Sequence, residues 1–245
     1  MKCAVITGAS RGVGKATAKA LARDGSYPLL CITARRNTEQ LDQLSDEIRR
    51  EYPEQSVLCL TGDIGDPSFT EYMHEKLKEA GGSVSLLINN AGIAGYGLLS
   101  DQSPEEWDKI LRTNLTGAFN TCKVFQPDLL RADEGRIINI SSVWGAVGAS
   151  CEAAYSAAKG GLDAFTKALA KELAPSHVAV NSLQLGAVDT DMNRHLDAEE
   201  RASLEEEIPF GRFATPEEAA SAVLLLAKMP LYVTGAVLLM DGGWI

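Results

Sequence analysis

Seven short runs of apolar or β-branched residues alternate with helical patterns along the whole chain. The runs are Cys3 to Thr7, Leu29 to Thr33, Ser56 to Leu60, Val84 to Asn89, Arg136 to Ser141, Val178 to Leu183 and Ala236 to Met240. Between them lie stretches such as Gly14 to Arg23, Thr38 to Glu51 and Glu217 to Lys228. Strands spaced by helices are βαβ units, which build a parallel sheet with helices on both faces. The expected architecture is α/β, one doubly wound parallel sheet of about seven strands. Ser103-Pro104-Glu105-Glu106 marks a helix start, with a cap residue and a proline at the first helical position. Thr215-Pro216-Glu217-Glu218 repeats that signature. Ligands of such a sheet bind beyond the carboxyl ends of its strands.

No linker, repeat or low-complexity run divides the 245 residues, so residues 1–245 read as a single domain. A net charge of −10 argues against a nucleic-acid partner, which would need clustered Lys and Arg. The longest apolar runs fall short of the roughly 18 residues a membrane helix needs. Strand residues begin almost at Met1, which leaves no room for a leader and predicts a cytoplasmic protein. Cys3, Cys31 and Cys59 lie in strand-like runs, where a reduced thiol behaves as a small hydrophobe; Cys122 and Cys151 form no C-x-x-C pair. His74, His177 and His195 are scattered without ligand spacing, so no metal is expected.

The first run enters Thr7-Gly8-Ala9-Ser10-Arg11-Gly12-Val13-Gly14 and then a helix. Glycines allow a tight turn and let the backbone approach a pyrophosphate seated on the helix N-terminus. In this position the spacing reads as a dinucleotide turn, and the sheet as Rossmann-like. An NAD site places an acid about 20 residues beyond the glycines to hold the ribose hydroxyls. Here that count reaches Ala34, followed by Arg35 and Arg36, with Arg11 in the turn itself. Cations where an acid would stand predict NADPH/NADP; the plainer reading makes Arg35 and Arg36 a solvated helix entry.

Tyr155 and Lys159 are four residues apart in an apparent helix that begins near Glu152, and so share one face. A nearby ammonium stabilises a phenolate, which predicts a lowered tyrosine pKa. Ser142 ends the fifth run, at the ligand edge of the sheet.

Taken together, these motifs resemble the short-chain dehydrogenase/reductase family over the whole chain. Thr7 to Gly14 is similar to its T-G-x-x-x-G-x-G, and Asn89-Asn90-Ala91-Gly92 to its N-N-A-G. Ser142 precedes Tyr155 by the family's thirteen residues, and Asn114 matches a fourth catalytic position. Asp63, with Ile64 beside it, resembles the adenine contact, and Gly186-Ala187-Val188-Asp189-Thr190 the nicotinamide clasp. The family's proline before that clasp is Leu185 here. Tyr232 to Gly235 and Asp241 to Gly243 extend the match.

The resemblance implies a carbonyl reductase in which Tyr155 protonates the developing alkoxide and Ser142 orients it. It further implies that Lys159 holds the nicotinamide ribose and tunes Tyr155, and that Asn114 anchors a proton-relaying water. Gly8, Ser10, Arg11, Gly12, Val13, Gly14, Asn90, Ala91, Gly92, Gly186, Val188 and Thr190 would then line the cofactor. Singly, several have plainer readings: Asn90 or Asp63 as turn residues, Asn114 as a helix cap or kink.

The bulk of the chain resembles 3-oxoacyl-(acyl-carrier-protein) reductases. Their usual carrier-facing cations align near Asp133 and Ser176, leaving Arg131, Arg136 and Lys171 to compensate. A narrower resemblance, in Ser142 to Gly145, Gly148 to Glu152 and Gly242-Gly243-Trp244, is to a bacterial branch that reduces 5-aminopentanone on elongation factor P. In that reading Glu152 attracts the substrate's ammonium and Trp144 bounds the pocket, with Tyr96 a further candidate. In the alternative, Glu152 serves the helix dipole and Trp144 fills core. A substrate lid is expected around 190–212, in the segment His195 to Phe210, or else an amphipathic surface helix. The helices bearing Asn114 and Tyr155 are rich in Ala and Leu, and the resemblance implies that they are buried between subunits of a homotetramer or dimer. A non-catalytic NADPH sensor is the reading from another class.

Overall fold

The computed structural model describes residues 1–194 and 196–245; His195 lies outside the described residues. In chain order the first half gives β1 (Lys2–Ile6), α1 (Gly12–Asp24), β2 (Leu29–Ala34), α2 (Thr38–Glu51), β3 (Ser56–Thr61), α3 (Pro67–Glu79), β4 (Ser83–Asn89), α4 (Pro104–Leu111) and α5 (Gly117–Arg131). The second half gives β5 (Gly135–Ser142), α6 (Val143–Val147), α7 (Ala153–Leu173), β6 (Val178–Leu185), α8 (Ala198–Glu207), α9 (Pro216–Lys228) and β7 (Val237–Met240). Among the described residues the seven strands are all parallel, in the order β3-β2-β1-β4-β5-β6-β7. Every run expected to be a strand is one. β6 runs on to Leu185, because Gln184 and Leu185 still pair with Ser141 and Ser142 on β5.

The strands are apolar throughout because both faces are covered. Ala4, Ile6, Leu30 and Ile32 face one core together with Leu21, Leu41, Leu44, Ile48 and Val223 of α1, α2 and α9. Their neighbours Cys3, Val5, Leu29 and Cys31 face the opposite core with Phe69, Met73, Phe125, Leu129 and Leu173 of α3, α5 and α7. This is the two-residue period of a strand buried on both sides. Both Ser103 and Thr215 form capping boxes, with Glu106 and Glu218 as partners. Asp66, accepting from Ser68 N just before Pro67, starts α3 in a related way.

A chain of buried side chains ties the helices of the second face to the sheet. Thr121 Oγ1 on α5 donates to Asn89 Oδ1 (2.6 Å), Asn89 Nδ2 to Asn139 Oδ1 (2.8 Å), and Asn139 Nδ2 to Thr166 Oγ1 on α7 (2.8 Å). Asn89 and Asn139 are partners across β4 and β5. The arrangement fixes how α5 and α7 sit on the strand ends. Removing one member leaves a buried donor unmet at about 2 kcal/mol. Asn139→Leu is therefore expected to lower the Tm by roughly 4–8 °C, read by calorimetry.

Candidate active site

The winding of the sheet reverses between β1 and β4, which are neighbours. Their carboxyl ends diverge into a cleft of about 830 Å³. Gly8 and Gly12 have φ of +67° and +54°, a region side chains avoid. A Cβ on Gly14 would lie 2.3 Å from the Gly8 carbonyl and 2.5 Å from Asn90 Nδ2, so helix α1 enters this turn with no room for a side chain. The N-cap Arg11 gives the first turn of α1 no side-chain acceptor. A glycine cradle opening on a helix N-terminus fits a dinucleotide pyrophosphate.

Asn90 does more than line the cleft. Its Nδ2 donates to the carbonyls of Thr7 (2.8 Å) and Gly8 (3.0 Å), while Thr7 Oγ1 accepts from the Asn90 and Ala91 N–H groups at 3.0 Å each. It buttresses the glycine turn, a function that spacing alone does not reveal. Ser10, Val13, Ala91 and Ile64 also line the cleft. At its outer end Arg35 Nη2 pairs with Asp63 Oδ2 at 3.2 Å, and Asp63 Oδ1 accepts from Gly65 N. Arg36 is exposed beside them, and Arg11 Nη1 pairs with Asp191 at 3.2 Å.

Four side chains meet where β5 ends. Ser142 caps the short helix α6, accepting from Trp144 N, and its side chain hydrogen-bonds Tyr155. Lys159 Nζ lies 5.6 Å from the Tyr155 ring centre and donates to Ile140 O at 2.7 Å. Asn114 sits in a π-helical turn (Arg112–Thr116) between α4 and α5, a wider coil that recurs at functional sites. Its carboxamide donates to Ile93 O (2.8 Å) and accepts from Ile93 N (2.9 Å). A Cβ on Gly92 would lie 2.7 Å from Asn114 Oδ1 and 3.5 Å from Lys159 Nζ, so glycine lets this segment pass between them. The Asn114 side chain is engaged by the Ile93 backbone and caps no helix end.

The electrostatics correct one expectation. Burial pushes the Tyr155 hydroxyl above its ordinary pKa, with the Ser142 hydrogen bond opposing. The lowering expected from Lys159 is not found. The reason is desolvation, which also brings Lys159 down to about 8 against the opposing charge of Asp163.

On the other side of Tyr155 stand Trp144, Glu152 and Tyr96, which share the cleft with Met192, Leu196, Leu204 and Trp244. Glu152 is half-buried and hydrogen-bonded to the Trp144 side chain; burial raises its carboxyl to about 7. It is the residue before α7 and makes no side-chain capping hydrogen bond there. Tyr96 is raised to about 12 by burial, then by the Glu152 charge. The Trp144 and Trp244 rings meet at 4.8 Å and 64°. Trp144 thus lines the pocket with one side and packs with the other against the small core of Ile110, Ala154, Tyr155 and Ala158.

The clasp after β6 is anchored at both ends. Gly186 N donates to Met240 O (2.9 Å), Val188 bridges to Ala214, and Thr190 touches the space a Gly12 Cβ would take. Leu185, in place of the family's proline, is held in register between Ser142 and Met240. Of the described residues expected in the lid, Met192, Asn193, Leu196 and Leu204 line the cleft, and α8 is capped by Asp197 and tied by Arg201 to Asp189 at 2.8 Å. α8 carries one large apolar residue, Leu204, turned to the cleft, so it is not an amphipathic surface helix. Leu196 and Leu204 fall in the segment expected to cover the substrate and Trp244 in the Gly242-Gly243-Trp244 motif, but the sequence does not single them out as lining residues.

The cations expected to compensate for Asp133 and Ser176 lie at the amino edge of the sheet, away from this cleft. Arg136 is buried there against Met229 O, and Arg131 pairs with Asp128. Among the described residues no group of three or more His, Cys, Asp or Glu could hold a metal, and no helix is long and apolar enough to cross a membrane.

Fold and site define a nucleotide-binding α/β oxidoreductase with a tyrosine and lysine at its reactive end. A sequence model of the short chain dehydrogenase family matches residues 2–201. The chain belongs to that family. It is 36% identical over 244 residues to 3-oxoacyl-(acyl-carrier-protein) reductase FabG of Vibrio cholerae, covering 99% of this chain and 96% of the relative. The Escherichia coli K12 protein of the same name is 36% identical over 243 residues, with the same coverage. A Bacillus subtilis protein, Uncharacterized oxidoreductase YmfI, is 33% identical over 244 residues, covering 99% of this chain and 98% of the relative.

Proposed function

We propose that this protein is an NADPH-dependent reductase that converts a ketone to a secondary alcohol. The observation that carries the reading is the convergence of Ser142, Tyr155, Lys159 and Asn114 at the carboxyl edge of the sheet, beside a glycine-lined dinucleotide cleft. The intact set of four argues for an enzyme over a passive NADPH sensor.

The glycine turn, Asn90 to Gly92 and the clasp at Gly186, Val188 and Thr190 would hold the dinucleotide. Arg35, Arg36 and Arg11 would receive a 2′-phosphate and Asp63 with Ile64 the adenine. When bound, reduced nicotinamide supplies a hydride. The chain's own part is to place the carbonyl oxygen and to move a proton. Ser142 offers that oxygen a hydroxyl, and Tyr155, kept protonated by its burial, is the acid poised to neutralise the forming alkoxide. Lys159 supplies positive charge beneath the phenol, which favours the phenolate left behind.

The FabG relatives support a 3-oxoacyl thioester as the substrate class, delivered on acyl carrier protein. One observation favours a second reading. Glu152 sits in an aromatic pocket next to Tyr155, where a carboxylate is costly to keep charged without a cation. A ketone bearing an ammonium group, as in 5-aminopentanone on elongation factor P, would supply it. The five glutamates of α8 suit a cation better than an acidic carrier. We further propose a cytoplasmic homotetramer or dimer.

Tyr155→Phe is expected to keep NADPH binding and to lose on the order of 100-fold or more in turnover. Stopped-flow oxidation of NADPH with a ketone checks this; equal turnover would sink the assignment. Arg35→Asp is expected to weaken NADPH binding by about 10-fold or more while sparing NADH, measured by titration calorimetry. Glu152→Gln should cut kcat/KM for an amino-ketone and spare a 3-oxoacyl thioester. A uniform loss on both would leave the 3-oxoacyl reading in possession.

A further inference from the structure

Lys159 is almost wholly buried, with 4% exposure, in surroundings that disfavour its charge. The next side chain on the same helical face, four residues on, is Asp163, at 5% exposure. Its carboxylate is held from the neighbouring strand. Ser182 Oγ donates to Oδ1 at 2.6 Å and Gln184 Nε2 to Oδ2 at 2.7 Å. Two neutral donors on the two oxygens suit an ionised carboxylate, which can only accept. They hold its charge in place without cancelling it.

We infer that Asp163 is a positioning residue that keeps Lys159 protonated, and thereby sets the alkaline limit of turnover. The inference rests on the ketone-reductase reading for its kinetic consequence only. A negative charge one helical turn away in a buried site favours the protonated amine. The effect acts through Lys159, because Asp163 contributes no atom to the cleft lining.

Few other ionisable groups compete there. On α7 Tyr155 faces Lys159, with Glu152 before the helix and Tyr96 from the loop after β4 beyond it. β6 (Val178–Leu185) and α6 (Val143–Val147) carry no ionisable side chain. The one on β5, Arg136, is at the far end of the strand. Around the π-turn, Glu105, Glu106, Asp108 and Lys109 of α4 are exposed, and Arg112 donates to Gly65 O. The buried charge next to Lys159 is therefore that of Asp163.

The sign follows. Protonated Lys159 is the working form, so turnover falls as pH rises through its pKa. Removing the Asp163 charge lowers that pKa and brings the fall to lower pH. The test uses protein with lysine labelled at 13Cε, titrated by NMR without added dinucleotide, with the Lys159 signal identified by its loss in Lys159→Met. In Asp163→Asn the Lys159 midpoint is expected to drop by about one pH unit or more. Ser182→Ala removes one hydrogen bond but keeps the charge, so a merely structural role would show in its Tm while the midpoint stays. If Asp163→Asn does not fold, Asp163→Leu/Ser182→Ala/Gln184→Leu replaces the cluster without leaving unmet donors. It is expected to show the same drop.

The alkaline limb of the pH–kcat/KM profile, with NADPH and a ketone, should move by the same amount. An unchanged Lys159 midpoint in the Asp163 variants overturns the proposal. An equal drop in Ser182→Ala also overturns it, assigning the effect to packing. A midpoint that drops in the Asp163 variants, when the wild-type protein reduces no ketone, upholds the coupling and rejects the reductase reading instead.

Discussion

A parallel sheet covered on both faces must bring every strand's carboxyl end to one edge. The reversal of winding between β1 and β4 then opens a cleft in that edge. The site depends on this constraint. The glycine turn leaves β1, Asn90 to Gly92 leave β4, Ser142 ends β5 and the clasp leaves β6. Two reciprocal sets of hydrogen bonds between Thr7 or Gly8 and Asn90 or Ala91 lock the first two together. No loop has to travel far to reach the reactive end, so the side chains there are placed by strands and helices and not by mobile segments.

The chemistry then depends on burial. Desolvation is the leading influence on Tyr155, Lys159, Glu152 and Tyr96 alike, and hydrogen bonds or neighbouring charges only moderate it. It holds the phenol protonated, as an acid needs, and weakens the ammonium, as a charge donor does not. A buried carboxylate on the far side of Lys159 offsets the second effect. Glu152 has the opposite arrangement: a carboxyl in an aromatic pocket, raised to about 7, whose charge is favoured by a cation entering the cleft.

Much of this was legible in the amino-acid sequence because the signals are local. The seven strands stand out as apolar runs, since both sides of each are buried. The glycine turn, the capping boxes at Ser103 and Thr215, and the four-residue step from Tyr155 to Lys159 are all fixed by backbone geometry within one element. The pairing of Arg35 with Asp63 and the meeting of Trp144 with Trp244 join residues far apart in the chain. Spacing carries no trace of them.

By itself, then, the sequence determined the sheet, its ligand edge and the identity of the groups delivered there. Periodicity and turn chemistry act over a few residues and need no knowledge of partners. Only the tertiary structure decided the protonation of those groups, the buttressing part of Asn90, the wall formed by Trp144 and the buried charge of Asp163 beneath Lys159. Each of these is set by desolvation and by contacts between separate elements, and neither exists until the two faces of the sheet have closed.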